Sequence, residues 1–466
     1  MRELFIQATY LTASILFILG LKSLTRPDKA RHGMNLAAIG MLVAVIGTLM
    51  NHEIVRYDWI IGGLVIGVIL GIPMGIWVPM TAMPQRIAIS HLFGALAATL
   101  VGVAIYYHEQ ATLSSGHMVA IGFEVLFGSL TVTGSFIAFG KLQEILPGHP
   151  MTYRGQNAVN LTLFAGTLGM FGYLIYNPQN MVVFYAMIAA ALLIGVLLVL
   201  PIGGADMPVV ISLLNSYAGL ASAATGFAIG NNVLIIVGAL DGGSGFLLSI
   251  LMSRAMNRSF GNILFGAFGS GGSAATKKSS EGQTAIPILA EDAAIQIAYA
   301  QRIVIIPGYG LAVAQAQHQV RELADVVERN GGEVRYAIHP VAGRMPGHMN
   351  VLLAEANIPY DRLITDLDEA NALLERTDIA LVIGANDTVN PAAVDDPSSP
   401  IYGMPIVRAD LARKVLVLKR SMASGFAGIE NELFYRPNTN MLFGDAKVSL
   451  NALLAAVKEE LTPAHV

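Results

Sequence analysis

An α-helical membrane bundle of about nine transmembrane helices, followed by an α/β Rossmann-like doubly wound parallel-sheet domain, is the fold class these 466 residues predict. Three observations carry it. The chain is 54% hydrophobic and 13% charged, where a soluble protein carries about 25% charged residues, and its mean hydropathy is +0.59. The charge is unevenly spread: residues 1–255 hold only 10 of the 28 Lys and Arg and 9 of the 32 Asp and Glu. In the charge-richer remainder, a Gly-x-Gly turn directly follows an apolar, β-branched run. Zero Cys excludes a disulfide scaffold, and a net charge of -4 speaks against a nucleic-acid partner. No metal site is expected. The boundaries read as a membrane domain over 1–259, a flexible linker over 260–287 and a soluble domain over 288–466.

A bilayer crossing needs about 20 mostly apolar residues. Candidates lie near 3–21, 33–50, 57–78, 85–107, 117–139, 157–176, 181–200, 207–229 and 232–253. The second and sixth are short or weak, so eight crossings is the alternative. The first has Arg2 beside Glu3 and no small-x-small cleavage site after it, so it reads as a retained helix rather than a signal peptide. Basic residues gather in alternate loops: Lys22, Arg26, Lys29 and Arg31, then Arg86, then Lys141 and Arg154, then Arg254, Arg258, Lys277 and Lys278. Only Arg56 interrupts that alternation. The positive-inside rule then puts the N-terminus outside and the C-terminal domain in the cytoplasm.

Polar side chains within the spans are costly in hydrocarbon and mark function. His91, Asn215, Asp241 and Glu124 fall about 9, 12, 18 and 22 Å from the cytoplasmic helix ends at the helical rise, with Asp206 at the mouth of the eighth span. These depths form a ladder, and they suggest a proton path. The alternative is that a lone intramembrane His or Asn only bonds a neighbouring helix. Asp241 lies in Leu240-Asp241-Gly242-Gly243-Ser244-Gly245, where glycines allow either close helix approach or local unwinding.

From 260 to about 287 the density of Gly and Ser predicts a mobile tether. Beyond it, Arg302–Pro307 has the pattern of a buried parallel strand. Gly308-Tyr309-Gly310-Leu311-Ala312-Val313 follows, then an amphipathic helix to about Asn330 and a second strand near Glu333. This is the setting of a dinucleotide fingerprint, in which the first glycine makes the turn and the second admits a pyrophosphate to the helix N-terminus. Val313 in the third position departs from it, tolerable where helix and strand lie further apart. A helix near 366–376, strands near 378–384 and 415–419 and a last helix near 445–460 continue the alternation.

Two strand ends are chemically loaded: Gly384-Ala385-Asn386-Asp387 and Lys419-Arg420-Ser421. Two cations and a hydroxyl suit a phosphate, and the second strand ends in Ala337-Ile338-His339-Pro340 without an acid to grip a ribose 2′-hydroxyl. Both favour NADP over NAD. A solvated loop is the plain alternative for Lys419-Arg420, and a turn former for Asp387.

Taken together, the spans, tether and nucleotide domain resemble the β subunit of proton-translocating nicotinamide nucleotide transhydrogenase along essentially the whole chain. The resemblance rests on Asp206–Tyr217, Ser253–Phe260, Pro307–Gln317, His339–His348, Gly384–Pro391, Lys419–Ser421 and Gly444–Lys447. It implies hydride transfer from NADH to NADP⁺ coupled to inward proton movement. NADP(H) would be bound here and NAD(H) on a partner α subunit, in an α2β2-type complex among the lipids of a bacterial-type inner membrane. By the family pattern NADP(H) is contacted by Gly308, Tyr309, Gly310 and Val313, by Val341, Ala342, Gly343, Arg344, Met345 and Pro346, and by Gly384, Ala385, Asn386 and Asp387. Lys419, Arg420, Ser421, Met422, Ala423, Ser424, Gly425 and Phe426 complete the set with Asp445 and Ala446. His91, Asp206 and Asn215 match positions used for proton conduction and coupling, and Asp387 is counted with them as catalytic. Phe426 stands where relatives often have Tyr. In some relatives the membrane His lies on another helix. The family also holds its nucleotide reversed relative to ordinary Rossmann enzymes. A channel or transporter gated by a cytoplasmic dinucleotide domain is the competing reading, although no Thr-Val-Gly-Tyr-Gly filter is present.

Overall fold

The computed structural model describes residues 2–24, 29–50, 56–79, 82–110, 112–147, 151–203, 206–255, 260, 284–343, 347–397, 399, 401–425 and 428–461. They form two compact units, Met1–Gly203 with Val209–Ile250, and Gly204–Pro208 with Leu251–Val466. Most of the expected tether lies outside the described residues.

Among the described residues of the first part, nine helices are long and apolar enough to cross a membrane. They are α1 (Arg2–Leu24), α2 (Ala30–Leu49), α3 (Asp58–Ile76), α4 (Met83–Glu109), α5 (Ser115–Leu142), α6 (Gln156–Tyr176), α7 (Met181–Val199), α8 (Met207–Ala228) and α9 (Asn232–Ala255). Each agrees with an expected span to within a few residues. Start signals are local: Ser114 accepts from the His117 amide at 3.2 Å, Asn180 from the Val183 amide at 3.1 Å, and Pro84 opens α4. The two most deeply packed helices are α5 and α8, with 61% and 72% of their most apolar windows buried, against none of α3. Neighbouring ends meet as alternating crossings require. Gln85 donates to the Leu142 carbonyl at 3.1 Å, and Lys141 reaches the Leu200 and Ile202 carbonyls at 2.5 and 2.7 Å.

Helices α8 and α9 touch backbone to backbone. A Cβ on Gly219 would lie 2.7 Å from Gly242 Cα, and one on Gly238 would lie 2.9 Å from Ala223 Cα. The helix is unbroken across Leu240–Gly245. Of the two uses open to these glycines, close approach is the one taken.

In the second unit β1 (Arg302–Pro307), β2 (Glu333–Ala337), β3 (Leu363–Ile364), β4 (Ile379–Ile383), β5 (Lys414–Lys419) and β6 (Thr439–Phe443) form one sheet in the order β3-β2-β1-β4-β5-β6. Every pairing is parallel. Alternate residues of β1 enter opposite layers: Ile303 and Ile305 pack with the helices Gln317–Arg329 and Ala446–Leu461, Val304 and Ile306 with Leu374, Val407 and Phe434. Both faces are covered, which explains the near-continuous apolar runs.

Three expectations need correction. The single helix to Asn330 is two, Tyr309–Ala314 and Gln317–Arg329, because Gln315 takes a left-handed conformation at φ 49. Strands β3 and β6 and the helices Ala290–Tyr299 and His348–Glu355 were not anticipated. The chain is also already paired before residue 288, since Pro287 bridges Met441 on β6.

Candidate functional site

In an open parallel sheet, ligands bind beyond the C-terminal strand ends, where the strand order reverses. Here that point lies between β1 and β4, the ends carrying Gly308 and Gly384. The two turns are pressed together. The Gly308 amide donates to the Ile383 carbonyl at 2.8 Å and the Gly310 amide to the Gly384 carbonyl at 3.0 Å. A Cβ on Gly310 would sit 2.7 Å from Gly384 Cα, and Gly384 itself has φ +66. Side chains are excluded where the two turns meet, backbone against backbone.

Those two amides are therefore already bonded within the chain. Val313 is not the close-packing third position. It is 49% exposed, while Leu311 and Ala312 are fully buried in the core.

The opposite wall is built by β4 and β5. Asp387 begins a short 3-10 turn, and Gly425 packs on it so closely that a Cβ there would lie 2.8 Å from the carboxyl carbon. Lys419, at the end of β5, donates to the Ala423 carbonyl and lies 5.4 Å from the Phe434 ring centre. Burial pushes the Lys419 ammonium below its ordinary value, and the Asp387 carboxylate pulls it back upward. The loop 419–425 thus folds over Asp387, with Arg420, Ser421, Ala423 and Ser424 exposed and Met422 packed against the sheet. Asn431 donates to the Asn386 carbonyl at 3.0 Å and holds that turn. The Gly444 amide donates to the Lys419 carbonyl at 3.1 Å, and Asp445 caps the last helix by accepting from the Lys447 and Val448 amides, with Ala446 buried behind it.

A third side follows β2. His339 is 2% exposed, its Nε2 donating to the Pro405 carbonyl at 2.7 Å and its Nδ1 accepting from the Val341 amide at 3.2 Å. That pairing requires a neutral ring, and burial correspondingly pushes the imidazole below its ordinary value. Ala342 is buried, and Gly343 (φ +113) packs against His348, whose ring centre is 6.4 Å from that of Tyr309. Sequence reasoning named Tyr309 and Gly343 but assigned nothing to His348 or Asn431. Arg344, Met345, Pro346 and Phe426 lie outside the described residues.

Within the bundle, Asn215 on α8 donates to Asp241 on α9 at 3.1 Å, and His91 on α4 lies beside Asn215. A Cβ on Gly245 would lie 2.8 Å from Asn215 Nδ2, so the glycine makes room for this amide. Asn215 and Asp241, adjacent rungs of the expected ladder, are joined directly by their side chains. Glu124 is separate, on α5. Asp206, one residue before α8, is 8% exposed. No group of three metal-binding side chains occurs among the described residues.

A family model described as NAD(P) transhydrogenase beta subunit matches residues 6–456. Two relatives named NAD(P) transhydrogenase subunit beta, one from Rhodospirillum rubrum and one from a defined strain of it, are each 46% identical over 458 residues. The alignment covers 97% of this chain and 98% of each relative. A match of that length takes in the bundle, the parallel sheet and the strings on which the resemblance was read, and the chain belongs to the NAD(P) transhydrogenase beta subunit family.

Proposed function

We propose that this chain binds NADP(H) at the β1/β4 crevice and couples hydride transfer from NADH, held by a partner α subunit, to inward proton movement through its bundle. The observation that carries the reading is the presence, on one chain, of two close-packed glycine turns at the β1 and β4 ends beside Lys419 and Asp387, and of the hydrogen-bonded Asn215–Asp241 pair with His91 beside it. The domains are 1–259 for proton translocation, 260–287 as linker, with its last residues joined to β6 through Pro287, and 288–466 for NADP(H). The complex is α2β2-type, in a bacterial-type inner membrane with the N-terminus outside and the nucleotide domain cytoplasmic.

The residues fit the nucleotide. Gly308, Gly310 and Gly384 let the β1 and β4 turns meet backbone to backbone at the strand ends, and the nicotinamide supplies hydride chemistry when bound. With the fingerprint amides bonded to β4, phosphate donors come from Lys419, Arg420, Ser421 and the loop after them, which agrees with a reversed nucleotide. The neutral His339 holds Val341, Ala342 and Gly343 in place, and no acid ends β2 to favour a free 2′-hydroxyl. The chain's task is to bind, orient and report.

Coupling needs two states that differ in affinity for the nucleotide, since only differential binding shifts an equilibrium. Protonation at the His91–Asn215–Asp241 cluster selects between them, and Asp206 and Arg254, at the ends of the helices bearing Asn215 and Asp241, transmit the choice. The test is the complex of this chain with its α subunit in sealed vesicles, supplied with NADH and NADP⁺ and read by an internal pH dye. Hydride transfer with a matching pH gradient, abolished by Asn215→Leu, is expected. Hydride transfer without any gradient would overturn the reading.

A further inference from the structure

We infer that Glu124 is a neutral carboxylic acid inside the bundle and serves as the proton carrier between the N-terminal end of α5 and the His91 cluster. The carrier role rests on the proton path proposed above, whereas the protonation state rests on hydrogen-bond accounting alone.

Glu124 is 0% exposed. Its Oε1 lies 2.7 Å from Thr225 Oγ1 on α8, and the same Oγ1 lies 3.0 Å from the Ala221 carbonyl one turn earlier. A threonine hydroxyl has one proton, and the Ala221 oxygen can only accept. If Thr225 gives its proton to Ala221, the contact with Glu124 needs a proton from the carboxyl. The opposite assignment leaves an ionised carboxylate with a single donor at full burial in a membrane bundle, which is strongly disfavoured. Glu124 Oε2 has no hydrogen-bond partner and faces the α4 backbone, a Cβ on Gly102 falling 3.2 Å from it. A carboxylate would demand donors there; the carbonyl oxygen of an acid does not. Among the described residues no ion pair involves Glu124. One acid proton, donated to the Thr225 hydroxyl, which gives its own proton to the Ala221 carbonyl, satisfies the site.

Its place suits a carrier. Two turns earlier on α5, His117 pairs through Nε2 with the Ala228 carbonyl at 2.7 Å, and its Nδ1 lies 3.3 Å from the half-exposed Glu109 carboxylate. On the proposed topology that end faces outside. In the other direction α5 carries Ser129 and Ser135, fully buried with hydroxyls that have no hydrogen-bond partner, and α4 carries the buried Thr99. Handing the proton toward His91 through water and these hydroxyls leaves a carboxylate. One proton arriving from the Glu109–His117 end restores the acid, and nothing else is consumed.

The test uses the complex with its α subunit in lipid vesicles at neutral pH. An infrared difference spectrum of wild type against Glu124→Gln should show a protonated-carboxyl C=O band. Thr225→Val should move that band to higher frequency, and Thr225→Ser should leave it. A difference confined to carboxylate bands would overturn the neutral acid. Proton pumping should fall at least about tenfold in Glu124→Gln and recover in part in Glu124→Asp, with NADP⁺ affinity unchanged. Wild-type pumping in Glu124→Gln would overturn the carrier role. If the wild-type complex moved hydride but no protons, the proposed path and its carrier would both fall, while the band would still decide the protonation state.

Discussion

Single side chains in the nucleotide domain make predictions independent of the membrane. Asp410 has a side chain only 2% exposed and is gripped by Arg408 at 2.8 Å and Arg436 at 2.7 Å. Burial alone would raise its pKa, but the two guanidinium groups hold it below the ordinary value. Stability from this site is therefore present above the ordinary aspartate range and lost as pH falls through the depressed value. Asp410→Asn should cost about 2 kcal/mol in urea unfolding, toward the low side for a buried pair because both arginines keep some solvent. His339 runs the other way in chemistry and the same way in pH. Folding favours its neutral ring, so that contribution is complete above about pH 6.5 and declines below it. Protonated Nδ1 can no longer accept from Val341, so NADP⁺ affinity should weaken as pH falls below the ordinary histidine value of about 6.5, and a His339→Asn variant should bind weakly throughout. A titration series across that range checks both. Asp387 and Lys419 were legible in sequence because they directly follow strands. His348 and Asn431 were not, since only the fold brings them to Tyr309 and Asn386.

At the scale of elements, glycines decide which backbones can meet. Gly384→Ala adds a Cβ 2.5 Å from Gly310 Cα at φ +66, a conformation that alone costs an L-residue about 1–2 kcal/mol. The variant should lose NADP⁺ binding while keeping its circular dichroism, and retained affinity would show that the β1/β4 turns need not touch. Gly245→Val should push α9 from α8 and part Asp241 from Asn215, reducing proton movement while NADP⁺ still binds. The nine spans were legible because apolar runs of membrane length admit little else. Strand β3 escaped notice at two residues, and β6 because Asn440 interrupts its apolar pattern. The break at Gln315 was hidden since the amphipathic period continues through it.

For the whole molecule, the division of charge between the chain's two parts foretold two kinds of architecture, and the described residues form long apolar helices in the one and a parallel sheet in the other. The pairing of Asn215 with Asp241 was not legible, because the faces on which α8 and α9 meet are set by packing rather than by the residue count from each end. Asp206→Asn should leave NADP⁺ binding intact yet uncouple hydride transfer from pumping, read as the ratio of protons moved to NADPH formed in vesicles; an unchanged ratio removes Asp206 from the coupling. The central claim is that this chain holds NADP(H) with phosphate donors drawn from the loop after β5. Calorimetric titration of the full chain in detergent with NADP⁺ and with NAD⁺ tests it most directly. A clear preference for NADP⁺, lost in Arg420→Ala, is the predicted result, and equal binding of the two nucleotides, or none of NADP⁺, would contradict it.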